Sequence, residues 1–184
     1  MSRRRLMGSL IVALSLATLS AQAEEQLPFR ATFSGVFINT PFDLNGDGAP
    51  GALNLLEGKS NFGDFSLHVV SESVRGAPAT CPNGQPGFAI MLVGGSSVFR
   101  FRRTGDLLFI RPTSESTCFD PSTGVSFFQA ATGAIIGGTG RFTHATGNVE
   151  GEGTARVLLA DPEGHVFGEQ HGTIQGMIIL PQGG

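Results

Sequence analysis

The chain has 184 residues, 27 of them glycine and 15 phenylalanine, with no tryptophan or tyrosine and a formal net charge of −3. Its only lysine is Lys59, and its one basic cluster, Arg100, Arg102 and Arg103, reads as the solvent face of a strand. Nucleic-acid binding is excluded on this account, because phosphate contacts need clustered Lys and Arg.

Met1 to Ala23 has the three parts of a cleavable signal peptide. Arg3, Arg4 and Arg5 form a positive start, Leu6 to Leu19 an apolar stretch, and Ala21-Gln22-Ala23 the small residues of a cleavage site. The apolar run is shorter than the ~20 residues that a membrane-spanning helix needs, so no stable anchor is expected after cleavage. Residues 24–184 then form one exported domain, with nine basic against fifteen acidic residues. Its location is secreted or periplasmic.

The exported part shows no sustained helical periodicity, but several stretches alternate with period two. Phe29, Ala31, Phe33, Gly35 and Phe37 share one face of the first strand. Next comes Asp43-Leu44-Asn45-Gly46-Asp47-Gly48, which matches the opening of a calcium loop, with Asp43, Asn45 and Asp47 as ligands. Position twelve of an EF-hand would be Asn54, so the motif is not an EF-hand. Its two readings are a looser exported calcium loop, completed by Glu57 or Asp64, and a plain polar turn.

Phe65 to Val70 alternates again, and Phe88 to Val93 is a nearly continuous apolar run, as expected of a strand buried on both faces. Phe99 and Phe101 alternate with Arg100 and Arg102, and Thr104-Gly105-Asp106 makes a tight turn into Leu107–Ile110. Ala134–Ile136, Val149–Ala160 and Val166–Leu180 complete eight or nine strands joined by short turns. That pattern predicts an all-β fold, a single antiparallel barrel of about eight strands, because closure removes exposed edges.

Cys81 and Cys118 are the only cysteines, and in an exported chain the simplest reading is a disulfide. The alternatives are a redox pair, which usually has C-x-x-C spacing, or a metal site. On the last strand, His165, Phe167, Glu169, His171, Thr173 and Gln175 fall on one face. Glu169 and His171 are an acid/base or metal pair if that face lines a cavity, and ordinary surface if it meets water. Glu150 and Glu152 read as neighbours repelling in solvent. No catalytic signature such as G-x-S-x-G or H-E-x-x-H is present, and no catalytic residue is assigned.

Between Ala134 and Gly153, the glycines at 137, 138 and 140 permit a sharp strand–turn–strand corner, Phe142 plugs the core, and Gly147 lets the next strand begin. A phosphate loop is excluded, since Arg141-Phe142 follows Gly140 where Lys-Ser/Thr is required. The stretch resembles the G-G-T-G-x-F-x-x-A-x-G motif of the allene oxide cyclase and dirigent-like barrel superfamily, and in particular its secreted bacterial members. There, as here in Gly105-Asp106-Leu107-Leu108 and Cys118-Phe119-Asp120, a Gly-Asp hairpin and a Cys-x-Asp segment precede it. His144 stands where that motif often has glycine. The resemblance implies an eight-stranded, calycin-like barrel with a central apolar cavity, and trimers by analogy. It carries over no catalytic residue.

Three functions follow. The favoured one is a non-enzymatic exported barrel, with either a small apolar ligand in its interior or a purely structural role, and no cofactor beyond the candidate calcium. The others are a cyclase- or isomerase-like enzyme and a calcium-dependent extracellular structural or adhesion protein.

Overall fold

The computed structural model describes residues 24–40, 43, 46 and 51–181. The expected signal peptide lies outside these residues, as do Asn45 and Asp47 of the candidate calcium loop. Eight strands follow in order: β1 (Glu24–Thr40), β2 (Gly51–Ser60), β3 (Gly63–Thr80), β4 (Pro86–Phe101), β5 (Leu107–Asp120), β6 (Val125–Gly138), β7 (Thr146–Ala160) and β8 (Val166–Pro181). Each pairs antiparallel with its chain neighbours, and β1 also pairs with β8, so the sheet closes into a barrel.

The closing seam is built on size complementarity. Along β1, Phe29, Phe33 and Phe37 stand opposite Gly176, Gly172 and Gly168 of β8. Between them, Ala31 faces Ile174 and Gly35 faces Gln170. A side chain at Gly168 or Gly172 would enter the ring of Phe37 or Phe33. Large therefore meets small at every inward position, and a two-residue slip would set phenylalanine against isoleucine or glutamine. This arrangement pins the register.

One end of the barrel, where β2–β3, β4–β5 and β6–β7 connect, is filled with aromatic rings. Phe29, Phe65, Phe99, Phe101, Phe142, Leu108 and Ile178 are all enclosed there. Phe65 and Phe99 lie 4.9 Å apart between centroids, as do Phe101 and Phe142. Phe142 comes from the expected corner, a single 3-10 turn at Gly140–Phe142. Gly137, Gly140 and Gly147 have φ of 130°, 58° and 128° there, and His144 has φ 60°. A Cβ on Gly138 would strike the Leu107 carbonyl and Phe142. Arg141 caps this floor, its guanidinium 4.8 Å from the centroids of Phe101 and Phe142. It is held by Asp106 at 3.1 Å and by the Phe62 carbonyl at 3.0 Å.

Cys81 and Cys118 form the expected disulfide. It joins the end of β3 to β5, two strands away, by passing over Gly87 of the intervening β4. A side chain at Gly87 would meet the Cys81 sulfur.

Several expectations need correction. β2 and residues 125–133 of β6 have no counterpart in the expected strand set, and β4 is one strand rather than two. In β4, Gly94-Gly95-Ser96-Ser97 resembles a turn, but it stays paired with β3, and a bulge sits at Val93. The run Phe88–Val93 is not buried on both faces, since Met91 and Val93 are 49% and 47% exposed. On a closed barrel only one face of each strand is enclosed.

Two variants test this packing. Gly172→Val should lower the free energy of unfolding by about 1–3 kcal/mol through overpacking, read from urea midpoints. Replacing both cysteines by serine should cost about 4 kcal/mol if loop closure is the main term, and the same denaturation series reads it.

Candidate active or binding site: the barrel interior

Above the aromatic floor the interior opens into a cavity of about 240 Å³. Its lower wall is apolar, formed by Leu56, Leu67, Phe99, Ile110, Val149 and Ile174, with the rings of Phe33 and Phe37 higher on β1. Serines, threonines and asparagines join them, together with Glu115 and Gln170. Small-molecule sites commonly combine a concave shape with apolar and polar side chains.

Glycines shape this space as much as side chains do. Gly133, Gly151 and Ala155 line it from β6 and β7, and a Cβ on Gly133 would crowd Ile110. The wall is also incomplete in its ladder. β4 and β5 pair at Phe88–Ile90 with Thr117–Phe119, and again at Ser97–Arg100 with Leu107–Ile110. No pairs join Met91–Ser96 to Arg111–Ser116. Pro112, which has no N–H to donate, lies in this interval. Leu92, Pro112, Ser114 and Glu115 line the cavity from its two sides.

Glu115 is the chemically distinctive group. The Thr117 hydroxyl donates to its Oε1 at 2.6 Å. Burial pushes its carboxyl above the ordinary glutamate range, and the Thr117 bond offsets this only in part. One layer nearer the rim, Arg75 stands opposite Ile90, and Ile90 opposite Thr117, so all three share the inner face. The Arg75 guanidinium lies 4.0 Å from the Phe88 centroid, and Phe88 lies 5.2 Å from Phe119.

The rim also carries Asp120, fully enclosed at the end of β5. The hydroxyls of Ser122 and Thr123 donate to it at 2.6 and 2.7 Å, and Asn83 of the β3–β4 turn at 2.8 Å. These donors hold its carboxyl far below the usual range. Its stabilising effect is therefore present above the ordinary carboxylate range and lost as acid protonates it.

The residues singled out in the sequence are dispersed. Glu169 and His171 are exposed on the outer face of β8, and His171 Nε2 lies 3.2 Å from the Thr154 hydroxyl. Glu150 and Glu152 are exposed, although Glu152 also borders the cavity. Asp43 accepts the Gly46 N–H at 2.5 Å, as an Asx turn does. Glu57 and Asp64 are described, while Asn45 and Asp47 of the same candidate loop are not. Glu57 lies on β2 and pairs with Arg102, just after β4, and Asp64 lies at the start of β3. In the β7–β8 turn, the ligand atoms of Asp161, Glu163 and His165 lie within 4.8 Å of one another. There Asp161 accepts the His165 ring at 2.7 Å and the Glu163 and His165 N–H groups, each at 2.9 Å.

The sequence reading missed Glu115, Thr117 and Gln170. Gln170 carried a signal, as the one large polar residue on the Gly168–Gly172–Gly176 face. Glu115 carried none, because Thr113–Thr117 is polar throughout.

No protein-family model matches the chain, and no curated protein matches it significantly. Two solved structures, both pterocarpan synthase dirigent proteins, are similar at 15% and 14% identity. Each comparison covers 88% of this chain, with 88% and 98% of the other chain, at TM-scores of 0.34 and 0.35. At these TM-scores neither likeness bears on what this chain does.

Glu115 makes a pH prediction. Its folded pKa is raised, so its ionisation costs stability only above the ordinary glutamate range of about 4.3. Glu115→Gln should match the parent in thermal unfolding at pH 3.5 and exceed it at pH 8. An equal difference at both pH values would contradict the burial of this carboxyl.

Proposed function

We propose that this protein is an exported, non-enzymatic barrel of the dirigent-like type that binds a small apolar ligand in its interior. The observation that carries the reading is the cavity itself, above a closed aromatic floor, with apolar side chains such as Phe33, Phe37, Leu56 and Ile174 in its walls beside small polar ones. The Met1–Ala23 pattern and the Cys81–Cys118 bridge support export, since disulfides persist in oxidising compartments. The Gly137–Gly147 corner supports the superfamily assignment.

Native mass spectrometry of the protein purified from an exporting host tests this. A co-purifying mass on the parent, absent from a cavity-filling Ala155→Phe variant that still folds, is the expected result. A bare chain that also takes up no added apolar compound would sink the reading. The same spectra report oligomeric state, for which the resemblance implies a trimer. A chelator-sensitive calcium mass would instead favour the loop of Asp43, Asn45 and Asp47 as a calcium site.

Glu115 favours a second reading, a cyclase- or isomerase-like enzyme. The barrel would hold a flexible apolar substrate in a reactive shape, and a protonated Glu115 would supply the proton. Incubating the co-purified molecule with fresh protein separates the two: conversion that Glu115→Gln lacks supports the enzyme, and an unchanged molecule supports the carrier.

A further inference from the structure

Glu115 has an unmatched hydrogen-bonding valence. Its Oε1 accepts the Thr117 hydroxyl, and its carboxyl has no second partner among the described residues. The cavity wall on these strands combines apolar Leu92, Ile110, Pro112 and Phe128 with small hydroxyl groups such as Ser114 and Thr132. Glu115 is partly buried here, and a carboxyl drawn out of water gains from a second hydrogen-bond partner.

The other charged groups near this wall narrow what that partner can be. β4 has no charged residue between Phe88 and Phe99, and β6 has none along its length. β7 brings Glu152 to the cavity. β3 brings Arg75, stacked on Phe88 at the rim. Arg111 of β5 is exposed. An anionic group placed at Glu115 would therefore meet that carboxyl, while the one cation on this inner face among the described residues, Arg75, is stacked on Phe88 at the rim. A cationic group would have to be desolvated with an ionised Glu115, and burial disfavours both charges. A neutral acceptor has neither cost, because a protonated carboxyl can donate to it.

We propose that Glu115 is the polar anchor of the cavity, and that the ligand is a neutral, mainly apolar molecule carrying a hydrogen-bond-accepting oxygen such as a carbonyl or ether. This inference rests on the apolar-ligand reading above. Thr117 fixes the carboxyl by occupying one oxygen, which leaves the other to donate to the ligand. Gln170 on β8 is a further donor within the same cavity.

Three probes of nearly the same shape test it by titration calorimetry: 2-acetylnaphthalene, 2-ethylnaphthalene and naphthalen-2-ylmethylammonium. At pH 4.5 the parent protein should bind the ketone about tenfold more tightly than the hydrocarbon, the worth of about one buried hydrogen bond. That advantage should vanish at pH 9, where Glu115 is ionised. Glu115→Gln, which keeps an N–H donor, should retain the advantage at both pH values. Glu115→Leu should lose it while still binding the hydrocarbon. Equal binding of ketone and hydrocarbon at pH 4.5 overturns the inference and leaves the apolar-ligand reading standing, as does a ketone advantage that survives in Glu115→Leu. Tightest binding of the ammonium probe overturns it in favour of an ionised carboxylate. If no probe binds to the parent, the apolar-ligand reading falls, and this inference with it.

Discussion

The pairing of β1 with β8 is the contact on which the rest of the molecule depends. It runs from Glu24 opposite Pro181 to Asn39 opposite Val166, and it turns a meander with two free edges into a wall with none. Its specificity comes from the alternation of phenylalanine with glycine across the seam. Three rings on one strand need three missing side chains on the other, in step, and the phenylalanines and glycines both recur every four residues. Once that register is set, the inward face of every other strand follows through the ladder. The aromatic floor, the cavity above it and the place of Glu115 in the wall are consequences of one closure.

The parts of this design that the sequence displayed are those where face and period coincide. β1 and β8 show an uninterrupted alternation, and the Gly137–Gly147 corner shows its glycines where the chain must turn sharply or pass close to another backbone. The Cys81–Cys118 bridge followed from cysteine count and compartment. β2 was hidden because Leu53, Leu55 and Leu56 put apolar residues on both faces. The polar stretch from Arg111 to Thr117 and the small-residue stretch Ala130–Gly133 look like loop, yet they form strands because each is the other's partner. Tertiary pairing overrode local preference there. Since Glu115 lies in that hidden pair, the central chemical feature of the interior was invisible without the fold.

The polar residues divide by location. The floor end is closed by rings and by one arginine whose charge is balanced by Asp106. The opposite end is organised by turns in which carboxylates collect nearby donors, Asp120 in one and Asp161 in another. Such turns satisfy their own backbone and hold the rim in shape, without placing a charge inside the cavity. Within the cavity, Glu115 is the carboxyl whose pKa its surroundings raise.

The interrupted ladder between β4 and β5 also has a mechanical meaning. Stiffness in a barrel wall comes from its cross-strand hydrogen bonds, and over Met91–Ser96 and Arg111–Ser116 this wall has none between its two strands. Below the interval the strands are stitched by the pairs from Ser97 to Arg100. Above it they are stitched by three pairs, by the hydrogen bond from Asn83 to Asp120, and by a covalent strap that reaches over β4 from β3 to β5. The barrel therefore has an expansion joint with a fixed hem. The joint can widen at little cost in backbone bonding, and a single sulfur–sulfur bond limits how far the slit can run toward the rim.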